Sequence, residues 1–303
     1  MRTILRAAAS ALTLLAMSAT ACSRPADPDP GRLSVVAAFY PLEYVATKVG
    51  GGATAVTSLT PPGAEPHDLE LTTEQVRRIA DAEIVVYLRG FQPQVDETVA
   101  QQAPDSAFDA SEGQQLLDAP AGDEPSGGIP GEKDPHLWLD PTRLAMIADR
   151  LADRLGALDP SGAAGYRTRA GALRADLEGL DRQYADGLKT CERHEIVTSH
   201  AAFGYLAQRY GLRQIAISGL SPEAEPSPQH LADVAGRARE LGVTTIFFET
   251  LVSPKVAETL AREVGARAEV LDPIEGLEPL SGGDYVSVMR DNLNRLRTAL
   301  GCT

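Results

Sequence analysis

The sequence predicts an α/β protein built from two open, mostly parallel sheets, one in each half of the chain. Short apolar runs alternate with helical patterns in both halves, an arrangement that favours parallel strands with helical crossovers. The chain has 303 residues, 43% of them hydrophobic, which is enough for two domains with sizeable cores. One long helical pattern lies between the halves. We therefore expect two Rossmann-like lobes joined by a single helix.

The predicted N-terminal lobe covers residues 33–158, and the predicted C-terminal lobe covers residues 191–303. Apolar runs predict strands at 34–40, 54–60, 83–88 and 106–111 in the first lobe, and at 195–200, 212–217, 243–249 and 266–272 in the second. Helical periodicity predicts helices at 41–50, 72–82, 93–103, from about 141, and at 201–211, 227–242, 253–265 and 283–301. The segment 118–134 has proline, glycine and acid without an apolar period, which predicts a loop.

Residues 159–190 form the predicted linking helix. Apolar residues recur there at spacings of four and three, which places them on one helical face. They are Tyr166, Ala170, Leu173, Leu177, Leu180, Tyr184 and Leu188. About 28 residues at about 1.5 Å each would span about 42 Å. Because no proline interrupts this helix, it would brace both lobes and resist wide hinge opening.

The N-terminal sequence predicts that the protein is exported. Two arginines precede a short apolar run that ends in small residues, the pattern of a signal peptide over residues 1–21. Cys22 directly follows these small residues and resembles the acylated cysteine of a bacterial lipobox. The alternative is ordinary cleavage near residue 21 with Cys22 left unpaired. Residues 22–32 are rich in proline and acid and predict an exposed, lipidated tether.

Charge and cysteine content narrow the function classes. The formal net charge is −14, with 28 basic and 42 acidic residues, so a nucleic-acid partner is a poor fit. Loss of residues 1–21 would remove two arginines and leave 26 basic against 42 acidic residues, a charge near −16. The remaining cysteines, Cys191 and Cys302, form an even pair. Outside the cytoplasm such a pair is most simply a disulfide, with two free thiols as the alternative.

Three of the five histidines lie in loops or at strand ends, where open α/β sheets bind ligands. His67 lies in a proline-rich loop after a predicted strand, His136 lies between two Asp-Pro steps in DPHLWLDP, and His200 ends the predicted strand EIVTSH. Neutral imidazole is a common ligand for zinc and related ions. His194 precedes its strand and His230 lies in the first turn of a helix, so both are predicted to be surface residues.

A carboxylate at the end of the last predicted strand is the expected fourth ligand. The segment LDPIEGL offers Asp272 and Glu275. Glu249, at the end of IFFE, is a rival that could equally accept backbone hydrogen bonds. Three imidazoles and one carboxylate would form a tetrahedral or distorted site with metal–nitrogen distances of about 2.0–2.1 Å.

The residues around DPHLWLDP suggest how His136 is supported. A ligating histidine usually donates its second ring N–H to a carboxylate, a carbonyl or water. Asp68, Asp134 and Asp140 are near the histidines in sequence, and the sequence leaves open which of them does so. Asp140 is also suited to cap a helix that begins at Pro141. Trp138 is expected in the lobe interface, with a plain core position as the alternative.

Several segments resemble the metal-binding subunit of bacterial zinc/manganese ABC importers, and they follow in the family's order over residues 33–302. They are AAFYPLEYVATKVGG, PPGAEPHDLELT, DPHLWLDP, IVTSHAAFGYLAQRYGL, GLSPEAEPSPQHL and LDPIEGL. The resemblance implies two α/β lobes joined by one long helix, with the metal in the cleft between them. It also implies that His67, His136 and His200 ligate the ion with a carboxylate from the last loop.

The resemblance favours Glu275 over Asp272 as the fourth ligand, because the PIEGL form is similar to the zinc-type branch. Manganese-type relatives tend to use a carboxylate where His200 stands, and a nitrogen-rich site favours zinc over manganese. Zn²⁺ is therefore the expected cargo, with Mn²⁺ as the alternative. Many zinc relatives carry a histidine-rich loop before the DPH segment, whereas the loop 118–134 has no histidine and is predicted to be a solvated linker.

The expected function is capture of Zn²⁺ by a monomer and its delivery to an ABC permease. The protein would be exported, and either lipid-anchored at the outer face of the cytoplasmic membrane or periplasmic. A site closed by four protein ligands holds an ion instead of activating water, so no enzymatic activity is expected. The alternatives are a zinc-dependent hydrolase, which would need an open metal position and a general base, and a metal-binding adhesin or chaperone. The sequence has no HExxH or GxSxG motif.

Overall fold

The computed structural model describes residues 31–120, 132–277 and 283–303, and four parallel strands form a sheet in the N-terminal half. They are β1 (Leu33–Ala37), β2 (Thr54–Ser58), β3 (Ile84–Tyr87) and β4 (Ala107–Asp109), in the order β2-β1-β3-β4. The central strand β3, with the sequence IVVY, is buried along its whole length, as expected for a parallel strand covered on both faces.

The C-terminal half repeats this topology. Its parallel strands are β5 (Glu195–Thr198), β6 (Arg213–Ala216), β7 (Thr245–Phe248) and β8 (Arg267–Val270), in the order β6-β5-β7-β8. In both sheets the strand order reverses beside the first strand, between β1 and β3 and between β5 and β7. Open α/β sheets bind ligands beyond the carboxyl ends of the strands at such a reversal. The expected fold class is confirmed.

Helices surround both sheets at the predicted places. They are α1 (Tyr40–Gly50), α2 (Thr73–Asp81), α3 (Pro93–Gln102), α4 (Pro141–Leu158), α5 (Ala163–Gly187), α6 (Gly204–Tyr210), α7 (Pro228–Glu240), α8 (Lys255–Val264) and α9 (Tyr285–Leu300). Helix α4 begins as predicted, with Asp140 as its cap and Pro141 as its first residue. Asp140 is the N-cap, its carboxylate accepts the Thr142 N–H at 2.9 Å, and Pro141 occupies the first helical position.

Helix α5 is the long helix between the sheets. It has 25 residues, or about 37 Å at the usual rise. The six residues of the predicted apolar stripe that lie in it are buried, as is Leu188 directly after its end. It packs along α4, α1 and α9 and so contacts elements of both halves. It begins later than predicted because Asp159 holds a preceding turn, in which its carboxylate accepts the Ser161 N–H and its carbonyl accepts the Gly162 N–H.

The main hydrophobic core does not stop at the boundary between the halves. It runs from the N-terminal sheet through α5 to α6 and α9, and a smaller core lies between the C-terminal sheet, α7 and α8. The predicted disulfide between Cys191 and Cys302 is present and ties the segment after α5 to the end of α9. Within the described ranges, no helix has the length and apolar character to cross a membrane. The predicted signal peptide and Cys22 lie outside the described residues.

The loop predicted at 118–134 is only partly described, and the helix predicted from residue 201 starts later than expected. The segment 118–134 is described only at its ends, where Asp118 and Lys133 form an antiparallel bridge and an ion pair. The C-terminal lobe helix predicted from residue 201 begins only at Gly204. The chain instead turns directly after β5, and this turn positions His200.

Candidate metal centre

Four buried side chains converge beyond the carboxyl ends of the two sheets. His67 follows β2, His136 precedes α4, His200 follows β5 and Glu275 follows β8. They can each offer one ligand atom, and these four atoms lie within 4.8 Å of one another. His136, His200 and Glu275 are fully buried, and His67 is 9% exposed.

The geometry around one carboxylate oxygen fits a single small cation. Glu275 Oε1 lies 3.4 Å from His67 Nε2, 3.3 Å from His136 Nε2 and 3.1 Å from His200 Nε2. A tetrahedral ion with bonds of about 2.05 Å places its ligand atoms about 3.3 Å apart. The three nitrogens therefore stand at the separation from the oxygen that a shared zinc-sized ion requires.

His67 is held by its own loop. Its backbone N–H donates to Glu65 Oε1 at 2.9 Å, and Gln92 Nε2 donates to the carbonyl of Pro66 at 3.1 Å. The imidazole packs edge-on against Phe91, with 4.5 Å between ring centroids. Because the loop backbone is fixed on both sides of the ring, Nε2 points into the cluster with little freedom.

His136 is oriented by Asp134. One oxygen, Asp134 Oδ1, lies 2.9 Å from the His136 backbone nitrogen and 2.8 Å from His136 Nδ1. A carboxylate on Nδ1 fixes the tautomer and leaves Nε2 free to bind a metal. Of the three acids near the histidines in sequence, Asp134 takes this role, whereas Asp140 caps α4.

His200 has a matching arrangement in the second sheet. Its Nδ1 lies 2.9 Å from Glu249 Oε1, and the hydroxyl of Ser199 donates to the same oxygen at 2.6 Å. Thr198 Oγ1 also donates to the His200 carbonyl at 2.7 Å. Glu249, the rival ligand in the sequence, thus lies behind His200 and orients its ring.

Asp272 stands apart from the cluster. Its Oδ1 accepts the Ile274 N–H at 2.7 Å, and its Oδ2 accepts the Thr250 hydroxyl at 3.1 Å. Both oxygens are therefore engaged locally. Glu275 Oε2 and His136 Nε2, by contrast, are buried and find no hydrogen-bond partner among the described residues. Unsatisfied buried polar atoms are costly, and a bound cation would offset this cost.

The charges of the site shift the pKa values of its members. Burial would raise the pKa of Glu275, but the charges of His200 and His67 hold it well below its usual range. Burial opposes a charge on His200, yet Glu249 and Glu275 raise its pKa well above 6.5. Burial lowers the pKa of His67. The carboxylates of the site therefore favour positive charge on the neighbouring groups, which a bound cation would supply in place of protons.

Two supporting features were not found from the sequence. Glu65 lies two residues before His67, and burial together with the charge of Glu275 raises its pKa to about 8. Ile274, directly before Glu275, has a positive φ of 60°. Nothing in the sequence of a proline-rich loop indicates that Glu65 is buried beside the site. A positive φ at Ile274 could not be predicted, because β-branched residues rarely adopt it.

Comparisons with known proteins agree with this architecture. A family model described as zinc-uptake complex component A, periplasmic (ZnuA), matches residues 35–299. The high-affinity zinc uptake system protein ZnuA of Bacillus subtilis is 34% identical over 306 residues, covering 97% of this chain and 95% of that protein.

The zinc-binding lipoprotein AdcA of Streptococcus pneumoniae is 36% identical over 299 residues, which cover 94% of this chain. The chain spans only 59% of the length of that relative. The crystal structure of the Zn(II)-bound ZnuA-like domain of the same AdcA has a TM-score of 0.76 at 35% identity, and the match covers 89% of this chain and 99% of that domain.

Proposed function

We propose that this chain, which belongs to the ZnuA family of periplasmic zinc-uptake components, captures Zn²⁺ outside the cytoplasmic membrane and delivers it to an ABC permease. The observation that carries the proposal is the position of three imidazole Nε2 atoms 3.1–3.4 Å from Glu275 Oε1. The names of the zinc-binding AdcA and zinc-uptake ZnuA relatives support the same cargo.

The ligands in this proposal are His67, His136, His200 and Glu275. Three neutral nitrogens and one carboxylate suit zinc, since imidazole is a preferred zinc ligand and manganese favours oxygen-rich sites. Asp272 is not among the ligands, because both of its oxygens accept hydrogen bonds elsewhere. Mn²⁺ would bind more weakly to the same residues.

The site is proposed to hold an ion and not to catalyse a reaction. Members of this family are substrate-binding components of an uptake complex. All four donor groups come from the protein and are buried, so a tetrahedral ion has no open position for a reactive water. Zinc-dependent turnover of ester, phosphate or peptide substrates by the purified chain would contradict this part of the proposal.

The cellular setting follows from the N-terminal sequence. We propose that residues 1–21 direct export, that Cys22 is acylated, and that residues 22–32 tether the folded part to the outer face of the cytoplasmic membrane. The domain boundaries at 33–158, 159–190 and 191–303 and a monomeric state belong to the same proposal. A Cys22→Ala variant should lose incorporation of labelled fatty acid and leave the membrane fraction.

Zinc uptake by cells tests the function directly. A bacterial strain that lacks its own zinc-binding component but retains the permease should regain uptake of radiolabelled zinc when it expresses the full chain. A His136→Ala, His200→Ala double variant, expressed at the same level, should not restore uptake. Equal uptake with the parent and the double variant would refute the proposal, as would no uptake with the parent alongside a permease shown to be active.

A further inference from the structure

The turn that carries Glu275 has an unfavourable backbone conformation. Ile274 has φ 60° and is fully buried. The left-handed region is rare for any residue other than glycine and is a genuine outlier for a β-branched one. Such conformations persist only when the surrounding contacts determine them, and they cluster at functional sites. The contacts that hold this turn are therefore part of how Glu275 is placed.

Asp272 holds the turn from its beginning. Its carboxylate accepts the Ile274 N–H at 2.7 Å and the Thr250 hydroxyl at 3.1 Å. Asp272 is itself bracketed by Asn292 of α9, which accepts the Asp272 N–H at 3.0 Å and donates to the Asp272 carbonyl at 2.6 Å. Asp272 is thus held through its backbone by Asn292, and its carboxylate is placed to accept the Ile274 N–H across the turn.

Trp138, which lies before α4 in the N-terminal half, holds the same turn. Its indole Nε1 donates to the carbonyl of Pro273 at 2.7 Å, and its own carbonyl accepts the Tyr285 hydroxyl at 2.5 Å. Trp138 lies two residues after His136, with 5.2 Å between their ring centroids. One short segment therefore presents a histidine to the cluster and anchors the backbone that presents Glu275.

We infer that Asp272 and Trp138 are positioning residues, which hold the Ile274 turn so that Glu275 meets the three histidines. This inference rests on the proposed function, since it concerns the geometry of the same zinc site. Asp272 acts as a hydrogen-bond acceptor and not as a ligand or a required charge. Loss of the hydrogen bond between Asp272 and Ile274, or of that between Trp138 and Pro273, lets the turn relax toward ordinary dihedral angles. The Glu275 carboxylate then moves away from the histidines, and zinc binding weakens.

The test compares two substitutions at Asp272 by chelator-competition titration with Zn²⁺ on the chain from Arg32 onward. Asp272→Asn keeps an oxygen that can accept the Ile274 N–H, whereas Asp272→Ala removes it. We expect Asp272→Ala to weaken zinc binding about tenfold or more, in the range found for groups that support metal ligands, and Asp272→Asn to stay within about threefold of the parent. Trp138→Phe, which removes only the indole donor, should also weaken binding about tenfold.

Controls separate this inference from the proposed function. Tyr166→Phe removes one hydrogen bond, to Asp159, at the start of α5 and should leave zinc affinity unchanged. His136→Ala removes a proposed ligand. If the parent fails to bind zinc, or His136→Ala binds as the parent does, the proposed function fails and this inference fails with it.

If the parent binds zinc and His136→Ala does not, the Asp272 and Trp138 variants test the inference separately from the proposed function. Equal losses with Asp272→Asn and Asp272→Ala would overturn it, because the charge or a metal bond would then be what matters. Unchanged affinity in Asp272→Ala would also overturn it. If Asp272→Ala does not fold, Trp138→Phe carries the test, and parent-like affinity in that variant would overturn the inference.

Discussion

Glu275 supplies the carboxylate oxygen around which the three imidazoles are arranged, at 3.1–3.4 Å from their Nε2 atoms. Glu275→Gln keeps the size of the side chain but removes its charge. We expect zinc affinity to fall by at least about a hundredfold, since even groups that only support ligands change affinity by about 10–100-fold. Chelator competition measures the change, and Glu240→Gln on the exposed end of α7 is a matched control. Parent-like binding by Glu275→Gln would remove Glu275 from the site.

Protons compete with zinc for the histidines. Burial lowers the pKa of both His200 and His136, but Glu249 and Glu275 raise the pKa of His200 well above 6.5, and Asp134 and Glu275 raise the pKa of His136. A raised imidazole pKa favours the protonated form, so zinc must displace protons even near neutral pH. We expect zinc affinity to fall steadily as the pH is lowered from 8 to 6. Titrations at fixed ionic strength measure this, and a flat profile would contradict imidazole ligation.

The sequence predicts the histidines better than the carboxylate, for a physical reason. His67 and His200 follow parallel strands, and the carboxyl ends of parallel strands meet at one edge of a sheet. The choice between Asp272 and Glu275 depends on a turn of three residues. That turn places Ile274 in a conformation that isoleucine disfavours, so no local preference could have indicated which acid reaches the site.

At the scale of elements, the strands and helices follow apolar periodicity closely, and their ends deviate. Each observed strand is shorter than its predicted run, and after β2, β5 and β8 the chain leads into the loops that carry His67, His200 and Glu275. Thr198 ends β5, so Ser199 and His200 lie in the turn.

The two ends of the 118–134 loop are held together by a contact that the sequence did not predict. Tyr205 of α6 donates to the Asp134 carbonyl at 2.7 Å and accepts the Leu117 N–H at 3.0 Å, a contact between the two halves that periodicity cannot indicate.

The disulfide joins elements that are 111 residues apart in sequence. Chain-entropy models assign a loop of this length about 5 kcal/mol at most, through constraint of the unfolded chain. We expect a Cys191→Ser, Cys302→Ser variant to be destabilised by about 2–5 kcal/mol while its zinc affinity stays close to that of the parent. Urea unfolding of zinc-free protein measures the first quantity. An unchanged free energy of unfolding would show that the bond adds no stability.

For the whole molecule, zinc should stabilise the fold by mass action. The site draws on loops from both sheets, so it exists only in the folded chain. A ligand that binds only the native state adds about 4 kcal/mol at a thousandfold excess over Kd, roughly 5–10 °C in the unfolding temperature of a chain of this size. Thermal melts with zinc and then with excess EDTA measure the effect. A melting temperature that zinc does not change would contradict the site.

The two-lobe architecture was predictable because it repeats one rule twice, with each half forming an open parallel sheet around its own alternating pattern. The continuity of the main core across α5, α6 and α9 was not predictable, since periodicity identifies a buried face without its partner. Both halves pack against α5, which is buried along one face. Because this helix is continuous, wide hinge opening between the halves is disfavoured.

The most direct test of the account is a competitive metal titration of the chain from Arg32 onward, with Zn²⁺ and Mn²⁺ against chelators of known affinity. Three imidazoles and one carboxylate predict one zinc ion per chain, bound at least about a hundredfold more tightly than manganese. Binding of manganese as tightly as zinc, a stoichiometry other than one, or no saturable zinc binding would contradict the assignment of His67, His136, His200 and Glu275 as a zinc site.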